Sequence, residues 1–131
     1  MGPTPYTEDE VRRLLSIGKT YIAYLDGQPV GIYSLLGKDE RIWGDQPIAA
    51  IYLHRIALGK SAHGKGIGQL LLDKAIAQAR DGGCQFLRLD CDEYNTNLCQ
   101  HYEKYGFTKV GSKAVHLKDS TYTAALYERK L

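Results

Sequence analysis

The feature that most constrains the fold is a run of strand, glycine-rich loop, helix and second strand. Residues 48–58 are rich in branched and aromatic side chains, which is typical of a strand. A helical stripe follows the loop and ends at a pair of glycines; its members are Ile67, Leu70, Leu71, Ala75, Ile76 and Ala79. Residues 85–91 then alternate as a strand does. Because such a crossover joins parallel strands, the pattern predicts a mixed α/β sheet with helices packed on it.

A β-hairpin is expected ahead of this unit. Two apolar stretches, residues 21–25 and residues 30–36, flank Asp26 and Gly27. The Asp-Gly pair is a strong hairpin signal, because the tight turn needs residues that tolerate positive φ. Before the hairpin, a capping box opens residues 7–18 and predicts one short helix there.

The remaining segments extend the sheet and its helical cover. Residues 37–47 are polar and contain two glycines, so a loop is expected there. Residues 95–105 predict a second helix that stops at Gly106. Residues 107–110 and 122–129 are expected to be the final strands.

Length and charge exclude several classes of protein. The chain has 131 residues, 44% hydrophobic and 24% charged, a balance typical of a single domain over residues 1–131. The longest apolar run, residues 48–53, is too short to span a membrane, and the N-terminus lacks the pattern of a signal peptide. The 17 basic and 15 acidic residues are dispersed, so neither a membrane nor a nucleic-acid partner is expected.

The cysteines indicate a reducing compartment. Cys84, Cys91 and Cys99 are odd in number and form neither a C-x-x-C pair nor a cluster with histidine at zinc-finger spacing. Free thiols of this kind are typical of the cytoplasm, and their usual role is structural rather than catalytic. No metal site is expected from them.

The glycine-rich loop is a candidate phosphate site. Gly64, Gly66 and Gly68 lead into the first helical turn, where outward N–H groups and the helix dipole favour an anion. Lys60, Lys65 and His63 add positive charge at its edge. A Walker loop would need Ser or Thr after Lys65, and a Rossmann loop would need glycine in place of Gln69. The alternative is a tight turn in which the glycines serve only geometry.

Two separated segments of the chain resemble the GNAT superfamily of N-acetyltransferases. The first is Leu53-His54-Arg55-Ile56-Ala57-Leu58 followed by His63-Gly64-Lys65-Gly66-Ile67-Gly68. The second is Asn95 followed by Tyr102-Glu103-Lys104-Tyr105-Gly106-Phe107. The resemblance covers residues 20–130. It implies an acyl-CoA N-acyltransferase-like mixed central sheet with helices on both faces, with the family's N-terminal strand and first helix shortened or missing.

The resemblance also implies acetyl-CoA as co-substrate, with no metal. In the family, the strand before the loop pairs its backbone with the pantetheine arm, which here implies Ile56, Ala57 and Leu58. The pyrophosphate would bind the loop at His63, Gly64, Lys65, Gly66, Ile67 and Gly68. His63 departs from the family's Gln or Arg, although its ring can still donate a hydrogen bond. Asn95 and Tyr102 match the cofactor-side residues of the second segment.

Acetyl transfer to an amine needs a base, an acid for the departing thiolate and a donor for the oxyanion. The resemblance implies Tyr102 as the acid and the backbone N–H of Leu58, or its neighbour, as the oxyanion donor. Either His54 or Asp90 is the candidate base, and the sequence does not separate them. The structural alternatives are a packing aromatic for Tyr102, a sheet histidine for His54 and a turn-capping carboxylate for Asp90.

The function expected is transfer of an acetyl group from acetyl-CoA to a primary amine of a small molecule or peptide, by direct attack in a ternary complex. The alternative is a catalytically silent acyl-CoA-binding sensor or assembly module. Tyr102 favours the enzyme, because turnover needs an acid and binding does not. A shortened N-terminus would leave an unpaired sheet edge, so a homodimer is possible. The sequence does not identify the acceptor.

Overall fold

The computed structural model describes residues 18–37, 39–44, 50–59 and 66–131. Within these residues it contains six strands and three helices. In chain order they are β1 (Gly18–Leu25), β2 (Gln28–Leu36), α1 (Glu40–Trp43), β3 (Ala50–Leu58), α2 (Ile67–Asp81), β4 (Phe86–Asp92), α3 (Thr96–Lys104), β5 (Thr108–His116) and β6 (Thr121–Lys130). The helix expected over residues 7–18 falls outside the described residues, except for Gly18, which begins β1.

The strands form one six-stranded sheet in the order β1-β2-β3-β4-β6-β5. β3 and β4 pair in parallel, and all the other neighbouring pairs are antiparallel. The parallel pair is the one that the α2 crossover predicts. The mixed α/β sheet is therefore confirmed.

The expected hairpin joins β1 to β2. Asp26 has φ 51° and Gly27 has φ 79°, the pair of positive values that a type I′ turn requires. β2 begins at Gln28, directly after this turn. The strand therefore starts two residues earlier than the sequence predicts, because pairing across the tight turn begins at once.

Side chains are buried on both faces of the sheet. The larger cluster packs α2 and α3 against one face, with Leu35, Leu53, Leu87, Leu89 and Tyr127 from the strands. The smaller cluster packs Ile42 and Trp43 of α1 against the other face, with Leu36, Tyr52 and Val115. Helices on both faces are thus confirmed for the described part of the chain.

Two expectations were wrong. The segment expected to be a loop contains α1, which a capping residue and two buried apolar side chains stabilise in only four residues. A helix this short shows no periodicity in the sequence. β5 spans nine residues, Thr108–His116, rather than the four expected, because its exposed outer residues pair with β6 and need no apolar character.

β3 and β4 pair over only three positions, Ala50 with Phe86 through Tyr52 with Arg88. Beyond them β4 stays paired to β6, and β3 stays paired to β2. The register on the β2 side also shifts, from Ala57 opposite Ile32 to His54 opposite Ser34, so that β3 carries one extra residue. This β-bulge bends β3 where it leaves β4 and opens the sheet between the two strands.

Candidate functional site

The opening between β3 and β4 brings together the two candidate bases. Tyr52 and Arg88 form the last pair of the short ladder, and His54 and Asp90 follow two residues later on their strands. Side chains alternate along a strand, so both lie on the same face as that last pair. Three atoms lie within 4.8 Å of one another: a ring nitrogen of His54, a carboxylate oxygen of Asp90 and a carboxylate oxygen of Asp39. The candidate bases are therefore neighbours across the opening.

Asp39 completes this cluster, although the sequence did not single it out. Its side chain is only 3% exposed, and its Oδ2 lies 3.5 Å from His54 Nε2. Its Oδ1 accepts a hydrogen bond from the N–H of Ile42 at 3.3 Å, and its carbonyl oxygen accepts from the N–H of Trp43 at 2.8 Å. Asp39 is thus the N-terminal cap of α1 as well as the neighbour of His54. An aspartate shortly before an apolar Ile-Trp pair was the available signal.

Arg88 holds α1 against the sheet. Its side chain is buried, with the guanidinium 4.8 Å from the centre of the Trp43 ring. Nε donates to Glu128 Oε2 at 2.9 Å, and Nη1 donates to the hydroxyl of Tyr52 at 2.9 Å. Although burial alone lowers the pKa of Arg88, the hydrogen bonds to Tyr52 and Glu128 leave a net rise. A fixed positive charge therefore supports the helix that carries Asp39.

Tyr102 is positioned by the way α3 ends. The N–H of Phe107 donates to the carbonyl of Tyr102 at 3.1 Å, and the N–H of Gly106 donates to Glu103 at 3.1 Å. These two bonds, with Gly106 at φ 85°, form a Schellman motif. The Phe107 ring meets the Tyr102 ring edge-on at 5.7 Å, the apolar contact that accompanies this motif. The Tyr-x-x-x-Gly-Phe pattern is therefore a helix terminus that fixes Tyr102.

The environment of Tyr102 keeps its phenol protonated. The side chain is 6% exposed and belongs to the larger core cluster, beside Cys91 at the end of β4. Burial raises the pKa of Tyr102 well above its ordinary value, and the charges of Cys91 and Asp90 raise it further. A protonated phenol beside β4 is a hydrogen-bond donor and a candidate acid.

Asn95 and the start of α2 are the described parts of the expected acetyl-CoA site. Asn95 caps α3, with Oδ1 accepting from the N–H of Leu98 at 3.1 Å. Gly66 caps α2 with φ 73°, and the first turn that Ile67 and Gly68 begin has no side-chain cap and no acidic residue. Its N–H groups and helix dipole therefore favour an anion, as the sequence predicts.

The remaining predicted residues are described in part or not at all. His63, Gly64 and Lys65 lie outside the described residues. For Ile56 and Ala57 only the backbone is described, as part of β3, while Leu58 packs against the larger core cluster. In this stretch β3 has left β4, so its backbone edge faces the opening. The roles of these residues stay predictions.

The cluster of Asp39, His54 and Asp90 also has the residue types that bind metal ions. In the described part of the chain, one group of His, Cys, Asp or Glu side chains has three ligand atoms close enough together to hold a metal ion. Its members are Asp39, His54 and Asp90. Both oxygens of Asp39 already have partners, the N–H of Ile42 and the ring of His54. Water molecules or further side chains would complete the coordination of a cation there.

The three cysteines are free thiols in the structure. Cys91 on β4 and Cys99 on α3 have their sulfur atoms 3.7 Å apart, and Cys91 is buried. Burial is the main reason that the pKa of Cys91 rises to about 12, with Cys99 as the next contributor. A thiol with so high a pKa is a poor nucleophile at neutral pH, which supports a structural role.

Comparison with known proteins decides the family. The family model described as Acetyltransferase (GNAT) family matches residues 2–107. This chain belongs to the GNAT acetyltransferase family. Among the described residues, no helix has both the length and the apolar character needed to cross a membrane.

Known acetyltransferases match the chain in sequence and in fold. The chain is 33% identical over 78 residues to Acetyltransferase Atu2258 of Agrobacterium fabrum, and the aligned region covers 60% of this chain and 50% of that protein. A GNAT acetyltransferase from Elizabethkingia anophelis, solved with acetyl-CoA bound, has a TM-score of 0.77 at 18% identity over 100% of this chain and 94% of its own. The ribosomal-protein-S18-alanine N-acetyltransferase from Escherichia coli has a TM-score of 0.78 at 16% identity, over 98% of this chain and 79% of its own.

These matches confirm the family and the acyl-CoA N-acyltransferase-like fold that the sequence predicts. The chain spans about half the length of the curated relatives it matches, 50% of one and 49% of another. At identities of 16% and 18%, the solved structures show the fold and not the substrate.

Proposed function

We propose that this chain transfers the acetyl group of acetyl-CoA to a primary amine of a small molecule or peptide, by direct attack of the amine in a ternary complex. The observation that carries the proposal is the set of polar groups around the opening between β3 and β4. His54 and Asp90 lie on one face at its edge, and the protonated phenol of Tyr102 packs at the end of β4 among the core residues of the other face.

His54 removes the proton of the attacking amine, directly or through water. A histidine side chain suits this step, because imidazole in general exchanges protons near neutral pH. Asp90 is the neighbouring carboxylate, and an aspartate is a weak base at that pH. Asp90 therefore binds the ammonium form of the acceptor and delivers it to His54. This proposal gives the two candidate bases different roles.

Tyr102 protonates the thiolate of CoA as the C–S bond breaks. An acid must hold its proton at the working pH, which a phenol does at neutral pH even before burial raises the pKa of Tyr102. The charge that it neutralises forms only in the transition state, so its hydroxyl should affect turnover far more than acetyl-CoA binding.

Acetyl-CoA binds along β3 and at the start of α2. The backbone of Ile56, Ala57 and Leu58 pairs with the pantetheine arm, with a backbone N–H at Leu58 or its neighbour holding the oxyanion. The pyrophosphate binds to residues 63–68, where the first turn of α2 offers its N–H groups. The acetyl-CoA bound to the Elizabethkingia relative supports this choice of ligand.

The setting of the reaction is also part of the proposal. Residues 1–131 act as one domain, without a metal, and the free thiols support a cytoplasmic location. The acceptor is a small molecule or peptide rather than nucleic acid or a membrane. Ile22 and Tyr24 of β1 are 53% and 64% exposed, which supports pairing of a second copy of the chain at this strand.

The experiment is a screen of acceptor amines, including polyamines, aminoglycosides, amino acids and peptide N-termini, with the acetylated product measured by mass spectrometry. We expect at least one amine to be acetylated well above the background of acetyl-CoA hydrolysis. Tyr102→Phe should lower kcat about 10²-fold or more, with the KM for acetyl-CoA within about threefold of wild type.

Tyr105→Phe is the matched control. It removes the same hydroxyl group three residues later, from a tyrosine that stacks on His101 at 5.1 Å, and it should leave kcat unchanged. A silent acyl-CoA-binding module would instead bind acetyl-CoA, measured as a rise in melting temperature, and acetylate no amine. If Tyr102→Phe lowers acetyl-CoA affinity as much as kcat, Tyr102 is a binding residue and the acid assignment is wrong.

A further inference from the structure

The carboxylate of Asp39 is buried more completely than capping α1 requires. Its side chain is 3% exposed, although helix caps are ordinarily solvated, and a buried carboxylate is costly unless it has partners. Capping occupies Oδ1, through the N–H of Ile42. Oδ2 is left facing His54 Nε2 at 3.5 Å. The second oxygen therefore has a partner that the helix cap does not account for.

The two nitrogens of His54 are in different surroundings. Nε2 faces Asp39, whereas Nδ1 is buried and has no hydrogen-bond partner. A neutral imidazole carries its proton on one nitrogen and a lone pair on the other. An Nε2–H group can donate a hydrogen bond to the Asp39 carboxylate. This tautomer therefore gives the buried carboxylate a partner and leaves the lone pair of the ring on Nδ1.

We propose that Asp39 is a positioning residue that fixes His54 as the Nε2–H tautomer, which leaves the lone pair of the neutral ring on Nδ1. This inference rests on the proposed function and adds a residue to it. The 3.5 Å separation is long for a hydrogen bond, as is common before a substrate binds. A buried carboxylate that accepts a hydrogen bond from a catalytic imidazole fixes both its tautomer and its orientation.

Other groups that face His54 are compatible with this assignment. Ser34 lies opposite His54 on β2, and its hydroxyl is within 2.9 Å of Thr20 Oγ1 on β1. Asp90 lies across the opening on β4. Arg88, two residues before Asp90 on that strand, is held by Tyr52 and Glu128. The contact of Asp39 with Nε2, at 3.5 Å, lies within ion-pair distance.

The position of Asp39 is secured independently of His54. Its backbone carbonyl accepts from Trp43 at 2.8 Å, and Trp43 in turn stacks on Arg88. The carboxylate is therefore held on a short, capped helix rather than on a long exposed segment. A substitution that keeps the cap should leave α1 in place and change only the contact with His54.

Asp39→Asn is the decisive variant, because asparagine caps helices about as well as aspartate does but carries no charge. We expect kcat to fall about 10- to 100-fold, with the KM for acetyl-CoA within about threefold and urea stability close to wild type. Asp39→Ser also keeps a capping oxygen but is too short to reach His54, and it should lose at least as much activity. Asp92→Asn is the matched control, since Asp92 caps a turn through the N–H of Tyr94 and should change neither value.

A double-mutant cycle separates positioning from a merely structural role. In a His54→Gln background, Asp39→Asn should lower kcat less than about threefold, because the residue that it positions is gone. An equal loss in both backgrounds would overturn the proposal. If His54→Gln alone leaves kcat unchanged, the base assignment in the proposed function is wrong.

Long-range ¹H–¹⁵N NMR of the His54 ring tests the tautomer without any turnover. We expect the neutral ring of the wild type to carry its proton on Nε2, and Asp39→Asn to populate both tautomers. A proton on Nδ1 in the wild type, or an unchanged tautomer in the variant, would overturn the role of Asp39 even if the enzyme is active. The predicted spectra in an inactive protein would leave the role of Asp39 standing and refute only the proposed function.

Discussion

Arg88→Met tests whether a buried charge holds α1 on the sheet. The substitution keeps an apolar stem of similar length but removes the guanidinium. That group donates hydrogen bonds of 2.9 Å to Glu128 and to Tyr52, and it lies 4.8 Å from the centre of the Trp43 ring. Hydrogen bonds to charged groups contribute about 1.5–3 kcal/mol each, and a desolvated cation–π contact about 2 kcal/mol. Against this, methionine avoids the several kcal/mol needed to desolvate the guanidinium.

The net loss of stability depends on how far the remaining partner, Glu128, stays buried. Removing one partner of a buried ion pair costs about 3–5 kcal/mol, chiefly because the other charge remains buried. Here the Glu128 side chain is 22% exposed and can regain water, so we expect the lower end, about 3 kcal/mol. For a domain of this size that corresponds to a fall in Tm of roughly 10 °C.

Urea unfolding followed by tryptophan fluorescence measures this loss directly. Trp43 is the one tryptophan in the chain, and it contacts Arg88, so its emission reports the region that changes. Arg80→Met, in the exposed last turn of α2, is the matched control and should cost less than about 0.5 kcal/mol. Glu128→Gln should be destabilising in the wild type and nearly neutral once Arg88 is gone. A loss below about 1 kcal/mol for Arg88→Met would refute the reasoning, because desolvation would then outweigh the contacts.

Four further outcomes follow from particular residues. Gly106→Ala should lower stability by about 1–2 kcal/mol in urea unfolding, because φ 85° forces alanine into the left-handed region. Hydrogen peroxide should join Cys91 to Cys99, whose sulfurs are 3.7 Å apart, with loss of two hydrogens and formation of two waters per peroxide, while Cys84 remains open to alkylation in peptide mapping. Because the pKa of Cys91 is raised to about 12, this oxidation should be slow at neutral pH and faster in alkaline solution. The free energy of unfolding should fall as pH rises from about 9 towards 12, because the unfolded chain then releases the Cys91 proton that the folded chain retains up to a pKa of about 12. Denaturation at several pH values measures this, and a Cys91→Ala variant should show a flatter dependence of stability on pH. A chelator such as EDTA should leave the rate of acetyl transfer unchanged, and restoration of a lost rate by one added divalent metal would refute that expectation.

Signals within a few residues of one another made most of the fold predictable. The Asp26-Gly27 turn gave the hairpin, and the helical stripe between two strands gave the parallel pair of β3 and β4. α3 also ends at Gly106 as expected, because a left-handed residue after a helix is encoded locally. β5 was underestimated, since pairing with β6 rather than its own composition makes it a strand.

The site was predictable only in part, because some of its contacts join distant elements. His54 and Asp90 could be named from their strands, but their proximity depends on a register that ends at Tyr52 and Arg88. Asp39 had only a weak signal, because it caps a four-residue helix without periodicity and meets His54 through tertiary packing. The Tyr102 pattern could be recognised, whereas its origin in a Schellman motif needed the hydrogen bonds.

The bulge in β3 turns two stretches of one strand towards opposite faces of the sheet. Without it, residues an even number apart would face the same side of the sheet, and Leu58 would share the side of His54. The extra residue reverses this order: Leu58 packs with the core beneath α2, while His54 faces α1 and Asp39. The charges follow the same division. The first turn of α2 has no acidic residue and favours an anion, whereas Asp39 and Asp90 place carboxylates on the side that His54 faces. The register shift therefore separates these two surfaces of β3, and the opening beside β4 lies between them.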